Sequence, residues 1–121
     1  MNQSDTNKLI ANQWFEAFNE HNLEKLLDLY SNEAQHFSPK LKVHRPETNG
    51  LIIGKDALRD WWKDAFNRLP SLHYKVMKLT ADNEQVFMEY IRQVENESNM
   101  NIGEVLEIKN GKIIASRVYH G

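Results

Sequence analysis

Cysteine is absent from the 121 residues, which excludes disulfides, thiolate nucleophiles and cysteine-ligated zinc and leaves the fold to stand on packing alone. Proline is scarce, with three residues in all, so Pro39, Pro46 and Pro70 read as punctuation between elements. No apolar run approaches a membrane span: the longest aliphatic stretch is Leu51-Ile52-Ile53, far below what a bilayer requires. The opening Met1-Asn2-Gln3-Ser4-Asp5 lacks the basic start and apolar stretch of a signal peptide. These absences predict a cytoplasmic protein with no membrane partner. An excess of charge of one sign is missing too, since 15 Lys and Arg face 17 Asp and Glu for a formal net charge of −2. A nucleic-acid partner is not expected from that balance, because phosphate backbones are met by a basic face.

The sequence does have the composition of an ordinary globular protein, 40% hydrophobic and 26% charged, at a length that suits one domain over 1–121. Ile10, Ala11, Trp14, Phe15 and Phe18 fall on one stripe of an α-helix running from about Asp5 to Asn19. Asn22 suits the N-cap of a second helix, with Glu24 in its first turn and Leu23, Leu26, Leu27 and Tyr30 as its apolar face. Ala34 to Ser38 reads as a short extended piece stopped by Pro39, and the polar stretch from Pro39 to Gly50 as a loop over the surface or a pocket mouth. A third helix spans Lys55 to Asn67, with Ala57, Leu58, Trp61, Trp62, Ala65 and Phe66 at helical spacing.

Beyond Pro70 the period changes to two. Leu72 to Thr80, Gln85 to Glu95, Asn101 to Lys109 and Lys112 to His120 each suit a strand. Asn110-Gly111 is the strongest hairpin signal, because both residues tolerate the positive φ of a type I′ turn. The expected fold class is therefore α+β, with N-terminal helices packed on a curved sheet. No internal repeat or low-complexity tract interrupts it.

That order of elements, with Trp14-Phe15-Glu16-Ala17-Phe18-Asn19, Asn22-Leu23, Leu29-Tyr30-Ser31-Asn32-Glu33-Ala34, Ser38-Pro39, Gly54-Lys55-Asp56-Ala57-Leu58 and the closing Asn110-Gly111-Lys112-Ile113, resembles the SnoaL-like proteins of the nuclear transport factor two-like superfamily, relatives of ketosteroid isomerase and polyketide cyclases. The resemblance runs from about Leu9 to Gly121. It implies a cone-shaped α+β sheet, antiparallel or mixed, with an internal cavity, commonly assembled as a homodimer through the outer face of the sheet. It does not imply one activity, because the superfamily holds isomerases, cyclases, dehydratases, epoxide hydrolases and non-catalytic carriers.

Ketosteroid isomerase uses an aspartate base with a tyrosine and a protonated aspartate as oxyanion donors. Laid on that pattern, Trp14 stands where the tyrosine would be, Ser38 where the base would be, and Glu104 near the second aspartate. An indole donates one hydrogen bond but is not an acidic phenol, and a serine hydroxyl is no base at neutral pH without help. Steroid isomerisation by that mechanism is therefore rejected.

Strand alternation sorts the remaining candidates. With Glu104 inward, Ile102, Leu106 and Ile108 share its face, and the resemblance turns Ser116, Val118 and His120 the same way. On the long strand it selects Phe87, Glu89, Ile91 and Gln93, leaving Val86, Met88, Tyr90 and Arg92 outside. Large apolar groups on both faces of that strand suit a sheet covered by helices on one side and by a partner subunit on the other. The candidate catalytic residues are His36, Glu104 and His120, with Trp14, Tyr30, Ser38, Trp62 and Glu89 as ligand-binding lining. A histidine facing a carboxylate in an apolar cavity is a general-base arrangement, in which the carboxylate orients the imidazole and moves its proton affinity toward working pH. A structural role stands beside each assignment: His36 as a satisfied strand-edge histidine, His120 as a terminal residue, the tryptophans as core.

No His-x-His and no helix-spaced histidine pair occurs, so no metal is expected. Without a Gly-rich phosphate loop, a Gly-x-Ser-x-Gly elbow or a Rossmann fingerprint, no cofactor is expected either. Three classes remain open: a cofactor-free enzyme acting on a small apolar or amphipathic molecule, a binding module for such a molecule, and a dimerising module whose cavity is filled by its own tryptophans.

Overall fold

The computed structural model describes residues 2–120; Met1 and Gly121, which bound the expected domain, lie outside the described residues. The element order is α1 (Gln3–Asn19), α2 (Leu23–Leu27), β1 (Tyr30–Phe37), α3 (Pro39–His44), a 3-10 turn (Pro46–Thr48), β2 (Leu51–Ile53), α4 (Lys55–Arg68), β3 (His73–Ala81), β4 (Gln85–Gln93), β5 (Met100–Lys109) and β6 (Lys112–His120). The strands form one curved, unclosed sheet in the order β2-β1-β6-β5-β4-β3. Among the described residues the β1–β6 pair is parallel and the other pairs are antiparallel. Register shifts between Tyr30 and Gln35, between Val76 and Lys78 and between Glu107 and Ile108 interrupt the ladders, and such bulges add bend and twist.

Helices cover one face of the sheet. α1 packs on β3 and β4, and α4 on β1 and β2, which buries Ile10, Ala11, Trp14, Phe15, Phe18, Leu58, Trp61 and Trp62 against the concave side. Each side-chain cap follows from its residue: Asn2 accepts from Asp5 N at 2.9 Å, Asn22 from Lys25 N at 3.2 Å, and Ser38 from Lys40 N at 3.2 Å, the placements that Asn and Ser favour. At the β5–β6 hairpin Asn110 and Gly111 take φ of 54° and 77°, as the Asn-Gly pair foretold.

Four expectations are corrected. Tyr30 does not close the second helix but opens β1, where it aligns with Ile113, and Ile113 N donates to Leu29 O at 2.8 Å; pairing with β6 overrides a helical spacing one turn long. The strand is accordingly longer than Ala34 to Ser38, and Ser38 is the cap that follows it. The stretch from Pro39 is not a plain loop: Pro39 takes the first position of α3, where its fixed φ suits a helix and its missing N–H costs nothing. Leu51-Ile52-Ile53, to which the sequence reading assigns no element, adds a strand paired antiparallel to β1.

The fourth correction concerns β4. Val86, Met88, Tyr90 and Arg92 are buried, while Phe87, Glu89, Ile91 and Gln93 face the outer side, so the expected assignment is off by one residue and every side chain on the strand changes face. Glu89 is thereby removed from the site. On β5 and β6 the expected faces stand, with Ile102, Glu104, Leu106, Ile108, Ser116 and Val118 buried. On the outer side the Phe87 ring lies over Gly103, where a Cβ would come within 2.8 Å of the ring, so that position admits no side chain while Phe87 keeps its place.

Candidate functional site

A pocket of about 320 Å³ opens on the concave side of the sheet. Of the residues nominated from sequence, His36, Glu104, His120, Trp14, Ser38 and Trp62 line it. Tyr30 stands behind the wall, bonded to Trp14, which lines the pocket, and to Ser116, which does not.

Burial dictates how the polar groups here are bonded, because a buried donor or acceptor without a partner is costly. The Trp14 indole can only donate, and Nε1 lies 3.0 Å from the Tyr30 hydroxyl. Tyr30 is 1% exposed, so its own proton needs an acceptor, and Ser116 Oγ at 3.0 Å supplies one. The Ser116 proton then goes to His36 Nδ1 at 2.6 Å. Read through the donor inventory, the chain from Trp14 to Tyr30 to Ser116 to His36 makes Nδ1 an acceptor and puts the ring proton on Nε2. Burial also drives the His36 pKa down to about 4, since a charged imidazolium is poorly solvated in an apolar wall. The imidazole is neutral at physiological pH, held at one nitrogen, with an Nε2–H donor left for the pocket.

Glu104 is built differently. It projects from the middle of β5, 1% exposed, and its Oε1 accepts from the Tyr90 hydroxyl at 2.6 Å. Oε2 has no partner, and among the described residues it is the one buried side-chain oxygen or nitrogen in that position. Desolvation raises the Glu104 pKa to about 7, against the lowering effect of the Tyr90 bond. Tyr30, Tyr74 and Tyr90 have their phenol pKa values pushed up, first by burial and then by the Glu104 charge, so all three stay protonated. The expected pairing of His36 with a carboxylate is not made: histidine is bonded to Ser116 and glutamate to Tyr90, and the two meet only as separate walls of one pocket.

The aromatic lining is continuous. Trp14 stacks on Phe18 with centroids 5.1 Å apart and on Tyr74 at 5.8 Å, and Tyr74 lies 4.3 Å from Tyr90. Trp62 is tilted against both Tyr30 and His36, at 5.2 and 5.3 Å. Toward the opening the lining turns basic, with Lys40, Arg68, Arg92 and His120 beside Glu97. Burial lowers the His120 pKa, and the nearby Lys40 and Arg92 charges lower it further.

Sequence reasoning missed Tyr90 and Arg92 through the face inversion on β4, and Lys40 by reading α3 as loop. A count on β4 and the residue after it was the available signal: one face carries four apolar side chains, Val86, Met88, Tyr90 and Val94, with Arg92, and the other carries two, Phe87 and Ile91, with Gln85, Glu89 and Gln93. No three histidine, aspartate or glutamate side chains among the described residues gather as metal ligands.

The helices on one face of a bent mixed sheet, with a polar-floored pocket between them, define a nuclear transport factor two-like cone. The same architecture recurs in a SnoaL-like protein of unknown function from Burkholderia thailandensis, 19% identical over 97% of this chain and 95% of that one, with a TM-score of 0.87. It recurs in a protein provisionally named a ketosteroid isomerase from Kribbella flavida, 15% identical over 98% and 79%, TM-score 0.80. A third is a hypothetical protein of ketosteroid isomerase-like fold from Catenulispora acidiphila in complex with trimethylamine, 15% identical over 91% and 83%, TM-score 0.73. At these identities the likeness is one of fold. Residues 11–116 match the model of the SnoaL-like domain, and the chain belongs to that family. No curated protein matches the sequence significantly.

Proposed function

We propose that this chain acts as a single domain that binds a small amphipathic molecule in the pocket and moves a proton on it without a cofactor, in the manner of an isomerase, cyclase or hydratase. The unpartnered Oε2 of Glu104 carries the reading. A carboxyl whose pKa is raised to about 7 is populated in both protonation states near neutrality, which is what a general acid or base needs. Glu104 takes or gives the proton, Tyr90 holds its other oxygen, and the neutral His36 donates from Nε2 to a ligand carbonyl or hydroxyl. This reverses the sequence-based assignment of His36 as base, because an imidazole with a pKa driven down to about 4 is a weak proton acceptor and a fixed donor. His120, beside Lys40 and Arg92 at the opening, belongs to ligand entry in this scheme. The volume of about 320 Å³ falls in the range of small-molecule sites and counts against a cavity filled by the protein's own tryptophans.

The test is deuterium incorporation from D2O into a panel of small ketones and β-dicarbonyl compounds, followed by NMR. Glu104→Gln should slow any catalysed exchange by about a hundredfold or more, the usual weight of a general base. Exchange unaffected by that substitution sinks the assignment. Ligands that bind without exchange favour the second reading, a non-catalytic binder, which draws support from the hydrogen bonds that already engage Tyr30, Ser116 and His36 Nδ1.

The same reading includes a homodimer through the outer sheet face, where Phe87 and Tyr119 are 36% and 50% exposed and Ile91 is half-buried. Single monomers rarely leave a broad apolar sheet face to water. Sedimentation equilibrium should give twice the chain mass, and Tyr119→Lys with Phe87→Lys should give the monomer; a wild-type monomer removes the dimer from the proposal.

A further inference from the structure

The pocket has a charge gradient that the proton-transfer scheme leaves unused. Its floor holds His36 and Glu104, while its opening holds Lys40, Arg68 and Arg92 against Glu97. Arg68 is already paired with Asp64 at 2.8 Å. Arg92 is 8% exposed, yet its fork of five donors has one ion-pair partner among the described residues, Glu97 at 2.8 Å through one terminal nitrogen. Glu97 itself is exposed and sits in the β4–β5 turn. Lys40, in the first turn of α3, has no side-chain hydrogen bond or ion pair among the described residues, and its charge reaches both Glu97 and His120. A guanidinium so deeply buried is normally matched by an anion, because desolvating it otherwise is expensive.

Register sets the scale of what fits. Arg92 aligns with Met100 on β5, and Glu104 stands four residues further along that strand, roughly 13 Å at strand rise. Between them Tyr90 aligns with Ile102, so an aromatic and an aliphatic side chain separate the two, and Trp61 and Trp62 of α4 line the same pocket.

We infer that the ligand is an amphipathic organic acid, whose carboxylate is held by Arg92 and Lys40 at the opening and whose apolar body runs down the tryptophan-lined wall toward Glu104. The inference rests on the small-molecule reading of the same pocket and adds its ligand class. Arg92 supplies planar bidentate geometry for a carboxylate, and Lys40 supplies an unpaired point charge on the adjacent wall. A cationic ligand entering head first meets like charge there.

Three probes with one ring system separate the alternatives: 2-naphthoate, 2-naphthalenemethanol and 2-naphthylmethylammonium, titrated calorimetrically into the full chain at low and high salt. The expected order is acid tightest by about tenfold, alcohol next, ammonium weakest, with the preference for the acid shrinking in salt. Arg92→Gln and Lys40→Gln should each weaken naphthoate by about tenfold and leave the alcohol within about twofold. Lys40 is only half-buried, so its variant serves even if the loss of Arg92 impairs folding.

Equal binding of acid and alcohol overturns the inference and leaves the pocket reading standing. An acid preference that survives both substitutions also overturns it, since the anion is then held elsewhere. Tightest binding by the ammonium overturns it in favour of an amine ligand. Binding of none of the three takes down the ligand class together with the small-molecule reading.

Discussion

His36 and Glu104 reach the same pocket from different strands, and their surroundings are opposites. His36 terminates a chain of hydrogen bonds in which every hydroxyl proton has an acceptor; Glu104 has one oxygen bonded and one left over. Both are buried, and burial penalises the charged form of each, yet the consequence differs in sign: His36 is kept neutral by losing a proton and Glu104 by keeping one. The histidine, anchored at Nδ1, is suited to hold its Nε2–H in a fixed orientation, and the carboxyl with a free Oε2 to exchange a proton with a ligand. A satisfied buried network specifies structure, and the unsatisfied atom next to it is where a ligand has something to offer.

The largest effect is expected where the network begins. Trp14 is 1% exposed and stacked on two rings, so Trp14→Ala should cost about 3–5 kcal/mol in urea unfolding. Trp14→Phe keeps most of the apolar area and deletes the indole donor to Tyr30, and about 1–2 kcal/mol is expected. Equal losses for the two would mean that the hydrogen bond, and not the stacking, dominates at this position.

Next in size is the pH dependence of stability, in which the two groups pull against each other. Glu104 has its pKa raised from 4.5 to about 7, so its cost is absent below pH 4.5, grows as the pH rises toward 7 and is complete above that. His36 has its pKa lowered from 6.5 to about 4, so its cost is absent above pH 6.5, grows as the pH falls and is complete below 4. Each is worth roughly 3 kcal/mol over its window. Between pH 4.5 and 6.5 the two slopes oppose. Glu104→Gln should expose the His36 slope, with stability rising with pH in that window; His36→Gln should expose the Glu104 slope, with stability falling. Unfolding curves of the two variants that keep the same slope would contradict the contrast.

The smallest effect tests whether the two groups are independent. Ser116→Ala breaks the link between Tyr30 and His36 and should cost about 1–3 kcal/mol. It should leave the Glu104 carboxyl titration, followed by carbon NMR, within experimental error. A displaced Glu104 titration would make the two halves one network.

Much of this was legible beforehand where the pattern was long. The stripe of Ile10, Trp14 and Phe18, the paired Trp61 and Trp62, and the Asn110-Gly111 turn each lead to the element observed, because local spacing and backbone chemistry act within a few residues. The face carrying Glu104 on β5 was legible for the same reason, since Ile102, Leu106 and Ile108 alternate with it. On β4 both faces hold apolar side chains, so the pattern alone does not separate them, the family resemblance points to the wrong one, and parity has no intermediate value. Tyr30 was misplaced because a helix of one turn has too little of its own stability to resist pairing with β6.

By itself the sequence determined the order of helices and strands, the membership of the helices' apolar faces and the hairpin at Asn110, since these follow from interactions between near neighbours. Only the tertiary structure decided that Ser116 and not Glu104 partners His36, that Tyr90 partners Glu104, and that Arg92 turns inward at the opening. The two hydrogen-bonded pairs join residues 80 and 14 positions apart. Which donor meets which acceptor, and so which carboxyl oxygen is left over, depends on sheet order and strand register, and these are set by the packing of the whole chain.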